Sequence, residues 1–419
     1  MGKRAGVGGI AVTRLSLNAT EVERGRERET APLLSTPSRS GLRLAAARLF
    51  LGVLPPALLV LLVVARYLTG KKLGFDYQPV WDASRHVLHG ASPYPRPEAW
   101  ALHDEQQFVY PPLAAFVLAP FAAFPFAVAA PLLAAVQLAA TGLTLRVLGV
   151  RDWRCYGVVL LWYPVLQNFL LGSITSLLAL GLALAWRYRD SRRVAPVSLA
   201  ALIAAKIFLW PMLVWLAASR RRLAAMRALG LAVAGIFVSW ALIGFAGLGS
   251  YLRLLDELSR LEQWKSYSAV ALGMALGLTG GESRALALTA CALVLLAIVR
   301  VQRQGGEDAD RQAFVLAIAA AFLFSPIVWT HYLALLVVPI AITRRTLSPI
   351  WFAPLAMWAS YGQSDGHLWR VALGFSVCAF VLTASLRPAW RLPTFGRPVV
   401  MPVAPLSAEG AYAAHRRGG

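Results

Sequence analysis

Three side chains in this sequence pair a reactive type with a suggestive setting: Asp76, Lys206 and His331. Asp76 lies in FDYQPVWDASRHVLHGASPY, just beyond the first long apolar run. A carboxylate at the mouth of a membrane cavity is a natural general base, because partial desolvation lifts its pKa towards working pH. The plainer reading makes Asp76 a solvated loop acid, or the N-cap of a helix whose apolar face is Val80, Ala83, Val87 and Leu88. Lys206 is a cation in the otherwise uncharged stretch 194–219. At membrane depth such a residue marks a functional site by default, with an anionic phosphate as its partner, unless it snorkels to an interface. His331 stands in SPIVWTHY at a predicted helix end, which suits a broken helix lining a cavity and equally an interfacial aromatic belt. His86 and His89 are spaced to share a helix face, yet two imidazoles without a third ligand make a poor metal site. Cys155, Cys291 and Cys378 fall in or at the ends of apolar runs and imply no disulfide framework. There is no Walker loop, no nucleotide-binding glycine motif and no GxSxG elbow, so no metal, cofactor or cytosolic nucleotide chemistry is expected.

The elements that must position these residues are membrane helices. Of 419 residues, 58% are hydrophobic and 15% charged, and the mean hydropathy is +0.60, far from the composition of soluble domains. A net charge of +21 would suit nucleic acid in a soluble protein. Here the arginines sit in short clusters between apolar runs, such as Arg187 to Arg193, Arg220 to Arg222 and Arg344 to Arg345, as the positive-inside rule requires, and no nucleic-acid partner is expected. Walking between clusters gives spans near 46–67, 127–148, 155–170, 173–189, 194–206, 207–219, 226–246, 283–301, 312–328, 331–343, 348–361 and 370–386, an all-α integral membrane fold of about twelve helices, several of them short for a bilayer. An even count puts both termini in the cytoplasm, where 1–45 and 387–419 read as basic disordered tails flanking one polytopic domain over 46–386. Two long segments then face outwards. The first, 68–126, carries Asp76, Asp82, Glu98, Asp104 and Glu105 and ends in a Pro-broken apolar run suited to lying on or dipping into the membrane. The second, 247–282, carries Arg253, Asp256, Glu257, Arg260, Glu262 and Lys265, a set that reads as a self-paired solvated helix, followed by a short apolar stretch that reads as re-entrant.

The run Asp76-Tyr77, Gly90-Ala91-Ser92-Pro93-Tyr94 and Phe108-Val109-Tyr110-Pro111-Pro112-Leu113, then Ala119-Pro120 and Phe124-Pro125, resembles the first outer loop of glycosyltransferase family 87. The resemblance runs from Asp76 to about His331 and implies a GT-C fold enzyme of the cell membrane. Such an enzyme takes a sugar, mannose or arabinofuranose, from a polyprenyl phosphate and gives it to an extracytoplasmic glycan or glycolipid. It further implies that Asp76 is the base, that Lys206 (ahead of Pro211) and His331 (after Ser-Pro and Trp) hold the donor phosphate, and that Tyr110 lies at the substrate. The family's Gly-Gln-Val-Asn stretch is Gly172-Ser173-Ile174-Thr175 here. One carboxylate suffices for inverting transfer because a phosphate ester is already a good leaving group, unlike the alkoxide for which hydrolases use two. The rival class, a lipid-linked sugar transporter, calls for two related halves with matching charges. No repeat is visible, and Lys206 has no counterpart.

Overall fold

The structure is a computed structural model that describes residues 46–69, 73–94 and 107–387. Both predicted tails, apart from Arg387, lie outside these residues, as do Glu98, Asp104 and Glu105 of the first outer segment. The described residues from Ala47 onward form one unit. Among the described residues every regular element is helical and there is no β-strand.

The first long apolar helix ends as α1 (Leu54–Leu68), entered through a π-helical turn at Leu49–Val53. A short connection leads to α2 (Gln78–Leu88), whose buried face is Val80, Ala83, Ser84 and Val87. Leu88, predicted on that face, is instead 58% exposed at the helix end. The Pro-rich run folds as α3 (Pro112–Ala122), with Pro112 at its first position, where a missing N–H costs nothing. Then come α4 (Phe126–Val147), α5 (Trp153–Leu160), α6 (Tyr163–Leu171), α7 (Thr175–Arg187), α8 (Val194–Ala205), α9 (Pro211–Ala218) and α10 (Arg222–Leu242). The second outer segment holds α11 (Leu248–Glu262) and α12 (Ala269–Ala275). The rest is α13 (Gly280–Gln304), α14 (Ala309–Phe324), α15 (Val337–Thr343) and α16 (Leu368–Leu386), with 3-10 segments at Thr330–Leu336 and Pro349–Ser360.

Five of these helices are long and apolar enough to cross a membrane: Ala46–Arg66, Phe126–Val147, Arg222–Leu242, Gly280–Gln304 and Leu368–Leu386. Between them the helices are shorter, as the short predicted spans anticipate, and several are broken. Tyr163–Leu171 and Thr175–Arg187 meet at a 117° bend, where Gly172 adopts a left-handed conformation that glycine takes without a Cβ penalty. The twelve residues of α8 extend only ~18 Å before the helix stops at Lys206, whose backbone is extended, and α9 returns. Likewise α14 stops at Ser325, and the chain turns through Thr330–Leu336 into α15. Non-helical backbone at membrane depth must be buried in protein or line a cavity, so these three breaks locate the interior where chemistry is possible.

Contacts segregate to two ends. At one end the Asp310 carboxylate accepts from Arg189 Nε (2.8 Å), Arg221 Nη1 (3.1 Å), Trp215 Nε1 (2.8 Å) and Ser219 Oγ (3.0 Å). This clasps α7, α9 and α14 together, and it holds the Asp310 carboxyl below its usual pKa despite burial. At the same end Asp152 caps α5 and accepts from the Leu347 N–H (3.1 Å). At the other end Tyr267 N–H donates to the Val328 carbonyl (2.8 Å), Ser364 N–H to Lys265 (3.0 Å) and Thr330 Oγ1 to Gly362 (3.0 Å). The arginine clusters belong to the first end, and the breaks at Gly172, Lys206 and Ser325 to Thr330 point towards the second.

Candidate functional site

Asp76 is fixed through its backbone. Its N–H donates to the Leu171 carbonyl (2.9 Å), Tyr77 N–H to the same oxygen (3.2 Å) and Gly74 N–H to Leu170 (2.9 Å). These bonds satisfy the carbonyls left unpaired where α6 ends. Gly172 permits them, since a Cβ there would lie 2.7 Å from Tyr77 Cβ and 3.1 Å from Gly74 Cα. Tyr77, 1% exposed, stacks on Phe126 (5.9 Å) and anchors the loop from the other side. Tyr77 is the residue at the N-cap of α2 and no side chain caps that helix, so the N-cap reading of Asp76 fails. Its carboxylate turns inwards instead, with 31% of the side chain exposed.

Facing it is His331, 4% exposed, whose Nδ1 lies 3.9 Å from Asp76 Oδ2. Lys206, 7% exposed, donates through Nζ to Tyr332 Oη (2.5 Å) and sits over the rings of Tyr332 (3.8 Å) and Tyr110 (5.2 Å). Lys206 therefore does not snorkel. The ring of His331 meets that of Tyr332 edge-on at 4.9 Å, and Phe208 stacks on the far face of the cluster, parallel to Tyr332 at 5.5 Å. Tyr110 is presented by an aromatic brace. Tyr94 Oη donates to its carbonyl (2.8 Å), Tyr251 Oη donates to that of Val109 (3.0 Å), and Tyr94 stacks on Trp240 of α10 (5.0 Å). Thus Asp76, Lys206, His331 and Tyr110, separated by more than two hundred residues of sequence, converge on one interior site.

Burial raises the Asp76 pKa from 3.8 to about 6, with the charges of Lys206 and Arg66 holding it from going higher. Burial and the Asp76 charge push the Tyr110 phenol well above the ordinary tyrosine range, so it stays a neutral donor. Behind the Asp76 loop a polar network crosses the bundle. Asn168 Nδ2 donates to Gln137 Oε1 (2.8 Å) and Ser176 Oγ (2.8 Å), while its carbonyl oxygen accepts from Thr175 N–H (3.1 Å). This fixes the bend between α6 and α7, and with it the carbonyls that hold Asp76.

The two remaining candidate groups lie apart from this site. His86 and His89 each bond through Nδ1 to a carbonyl of their own helix, at 2.9 and 2.7 Å, and among the described residues no group of three metal-ligating side chains forms. The cations of α11 and the turn after it are largely self-paired, Arg260 with Asp256 (2.7 Å) and Lys265 with Glu262 (3.0 Å). Tyr332 escaped sequence reasoning. It is one of 12 tyrosines, and its signal lay in its place beside His331, since a 3-10 turn lets neighbouring side chains enter one cavity.

The chain is thus a helical membrane protein in which a carboxylate, a buried imidazole and a buried ammonium gather where its helices break. The sequence profile of glycosyltransferase family 87 matches residues 108–326, more than half of the chain, and the protein belongs to that family and is a membrane glycosyltransferase. No curated protein and no solved structure matches the chain. Tyr110 and Lys206 fall within the matched range, whereas Asp76 and His331 flank it and are joined to it by the fold.

Proposed function

We propose that the enzyme moves a sugar, in first preference mannose, from a polyprenyl-phosphate donor to an extracytoplasmic glycan or glycolipid, with inversion and with Asp76 as general base. The observation that carries this reading is the pairing within one buried site of a carboxylate of raised pKa with a buried ammonium on a helix break. In this reading the donor's phosphate meets Lys206, with His331 and Tyr110 as further contacts, and its lipid chain stays in the membrane. Asp76 takes the proton from an acceptor hydroxyl as that oxygen attacks the anomeric carbon from the face opposite the phosphate. The bond from the anomeric carbon to the phosphate oxygen breaks, and polyprenyl phosphate leaves with the electron pair, its charge held by Lys206. A β-linked donor so becomes an α-glycoside. An arabinofuranosyl donor would use the same chemistry, and the segment DYQPVW is reminiscent of that branch.

The same reading takes the arginine-rich end as cytoplasmic, with about twelve crossings once the broken helices are counted, both termini inside and the site facing outwards across the cell membrane. Support comes from the clustering of Arg189, Arg221 and Arg345 with the turns at one end, away from Asp76. The test is to incubate membranes containing the protein with labelled polyprenyl-phosphate mannose or arabinofuranose and to identify the glycoside formed. Absence of product from both lipid-linked sugars, in protein shown to be folded, would reject the proposal.

A further inference from the structure

The end of the bundle remote from Asp76 contains buried donors that the chain does not satisfy. Arg344, 5% exposed, follows α15, and its Nε and Nη2 have no hydrogen-bond partner. The hydroxyls of Ser348 and Ser385, each buried to 1% exposure or less, have none either. Arg311 lies against this group, its guanidinium bonded to the Ser385 carbonyl, and Thr343 reaches the same carbonyl from the other side (3.4 Å). Burial and the charge of Arg311 hold Arg344 below the ordinary arginine range. The carboxylate at hand, Asp308, pairs with Arg311 (3.0 Å). Buried donors left unpaired are costly, and a pair of neighbouring guanidiniums with one carboxylate between them favours an anion.

A pocket opens beside these groups. Ser348 and Ile350 form one wall, while Phe380, Thr383 and Arg387 at the end of α16 form the other. Its chemistry is graded. Ile350 and the half-exposed Phe380 lie towards the apolar length of α16, one of the helices long and apolar enough to cross a membrane, and Ser348, Thr383 and Arg387 lie where that helix ends. A cation and hydroxyls at the end of an apolar helix, above an apolar wall, match a phosphate headgroup with its acyl chain below, and basic pockets between membrane helices recognise such headgroups. A free anion would explain the donors but not the apolar wall.

We propose that this pocket binds the phosphate of an anionic membrane lipid, with Ser348 and Arg387 donating to it directly, Arg344 and Arg311 supplying the surrounding positive field, and an acyl chain lying over Phe380. The lipid would tie the turn after α15 to the end of α16, two helices that Thr343, through the Ser385 carbonyl, already links from within. Neither Ser348 nor Arg387 belongs to the glycosyl-transfer site, so the proposal stands independently of the donor reading.

The test uses the full chain in detergent. It is exposed to equimolar phosphatidylglycerol and phosphatidylcholine, retained lipid is counted by native mass spectrometry, and melting is followed with either lipid or with inorganic phosphate. Phosphatidylglycerol should be retained in preference and should raise the melting temperature, while inorganic phosphate should not. The double variant Ser348→Ala, Arg387→Gln removes two pocket-lining donors, one buried and one exposed, and leaves Arg311 and Arg344 in place. Its preference for phosphatidylglycerol should fall by about tenfold, the loss of one charge-assisted hydrogen bond or more, with transfer activity unchanged. Equal retention of the two lipids, stabilisation by inorganic phosphate to the same degree, or an unaltered preference in the double variant would overturn the assignment.

Discussion

Replacing Asp76 by Asn should make the protein more stable and far less active. The structure gives both signs. Burial holds the Asp76 pKa at about 6, against 3.8 unperturbed. Between those values the folded protein keeps a proton that the unfolded chain has released, so stability falls as pH rises through that window, and the full cost is present above about 6. At 1.36 kcal/mol per pKa unit the cost at neutral pH is about 3 kcal/mol. Solvent reaches 31% of the side chain, which discounts the figure to about 1 to 2 kcal/mol. The amide has the same shape, and the backbone bonds from Asp76 and Tyr77 to Leu171 do not depend on the carboxylate. Asp76→Asn should therefore raise the detergent melting temperature by a few degrees at pH 7.5 and by little at pH 4. An amide cannot take the acceptor's proton, so turnover should drop by roughly 10² to 10⁴ with donor binding kept. Asp82→Asn is the control, an acid of the neighbouring helix outside the cluster, and should leave both quantities close to wild type. Undiminished turnover in Asp76→Asn would refute the base assignment. A joint loss of stability and activity would show instead that the carboxylate is structural and that its interactions outweigh its burial cost.

Three further outcomes follow from the same site. The base must be ionised, so kcat/KM for wild type should rise about tenfold per pH unit below pH 6 and level off above it, a limb that should vanish from the residual activity of Asp76→Asn. Lys206→Met keeps stem length while deleting the charge, and the apparent donor KM should rise by about tenfold or more as a charge-assisted contact is lost, whereas an unchanged KM would separate Lys206 from the donor. In a background lacking Cys155, Cys291 and Cys378, an impermeant thiol reagent on intact cells should label a cysteine placed beside Asp76 and leave one beside Arg221 unlabelled, and the reverse pattern would contradict the sidedness.

What could be read from the sequence followed from contrast. Asp76 and Lys206 stand out because a charge among apolar residues is costly and demands a reason, and both prove to be drawn into one interior site. The self-pairing of Arg260 and Lys265 was equally legible from the acids three and four residues away. Hydropathy located apolar runs but could not tell a full crossing from a helix that stops at an interior apex, so 155–170 reads as one span although the chain breaks at Leu161 and Trp162 and bends again at Gly172. Period alone places Leu88 on the buried face, yet α2 ends there and the side chain is exposed. Tyr332 and the brace of Tyr94, Tyr251 and Trp240 were hidden because aromatic residues are common in membrane proteins and nothing local separates a ring in a site from one in a belt. The Asp310 clasp is also beyond reach, since its partners lie 89 to 121 residues away in sequence.

The most direct measurement is transfer by the purified protein, with divalent metal chelated, from a β-linked polyprenyl-phosphate sugar, the anomeric configuration of the product being read by NMR. The expected outcome is an α-glycoside with stoichiometric release of polyprenyl phosphate. Transfer from a nucleotide sugar alone, with lipid carriers rigorously removed, or a product that retains the β configuration, would contradict it.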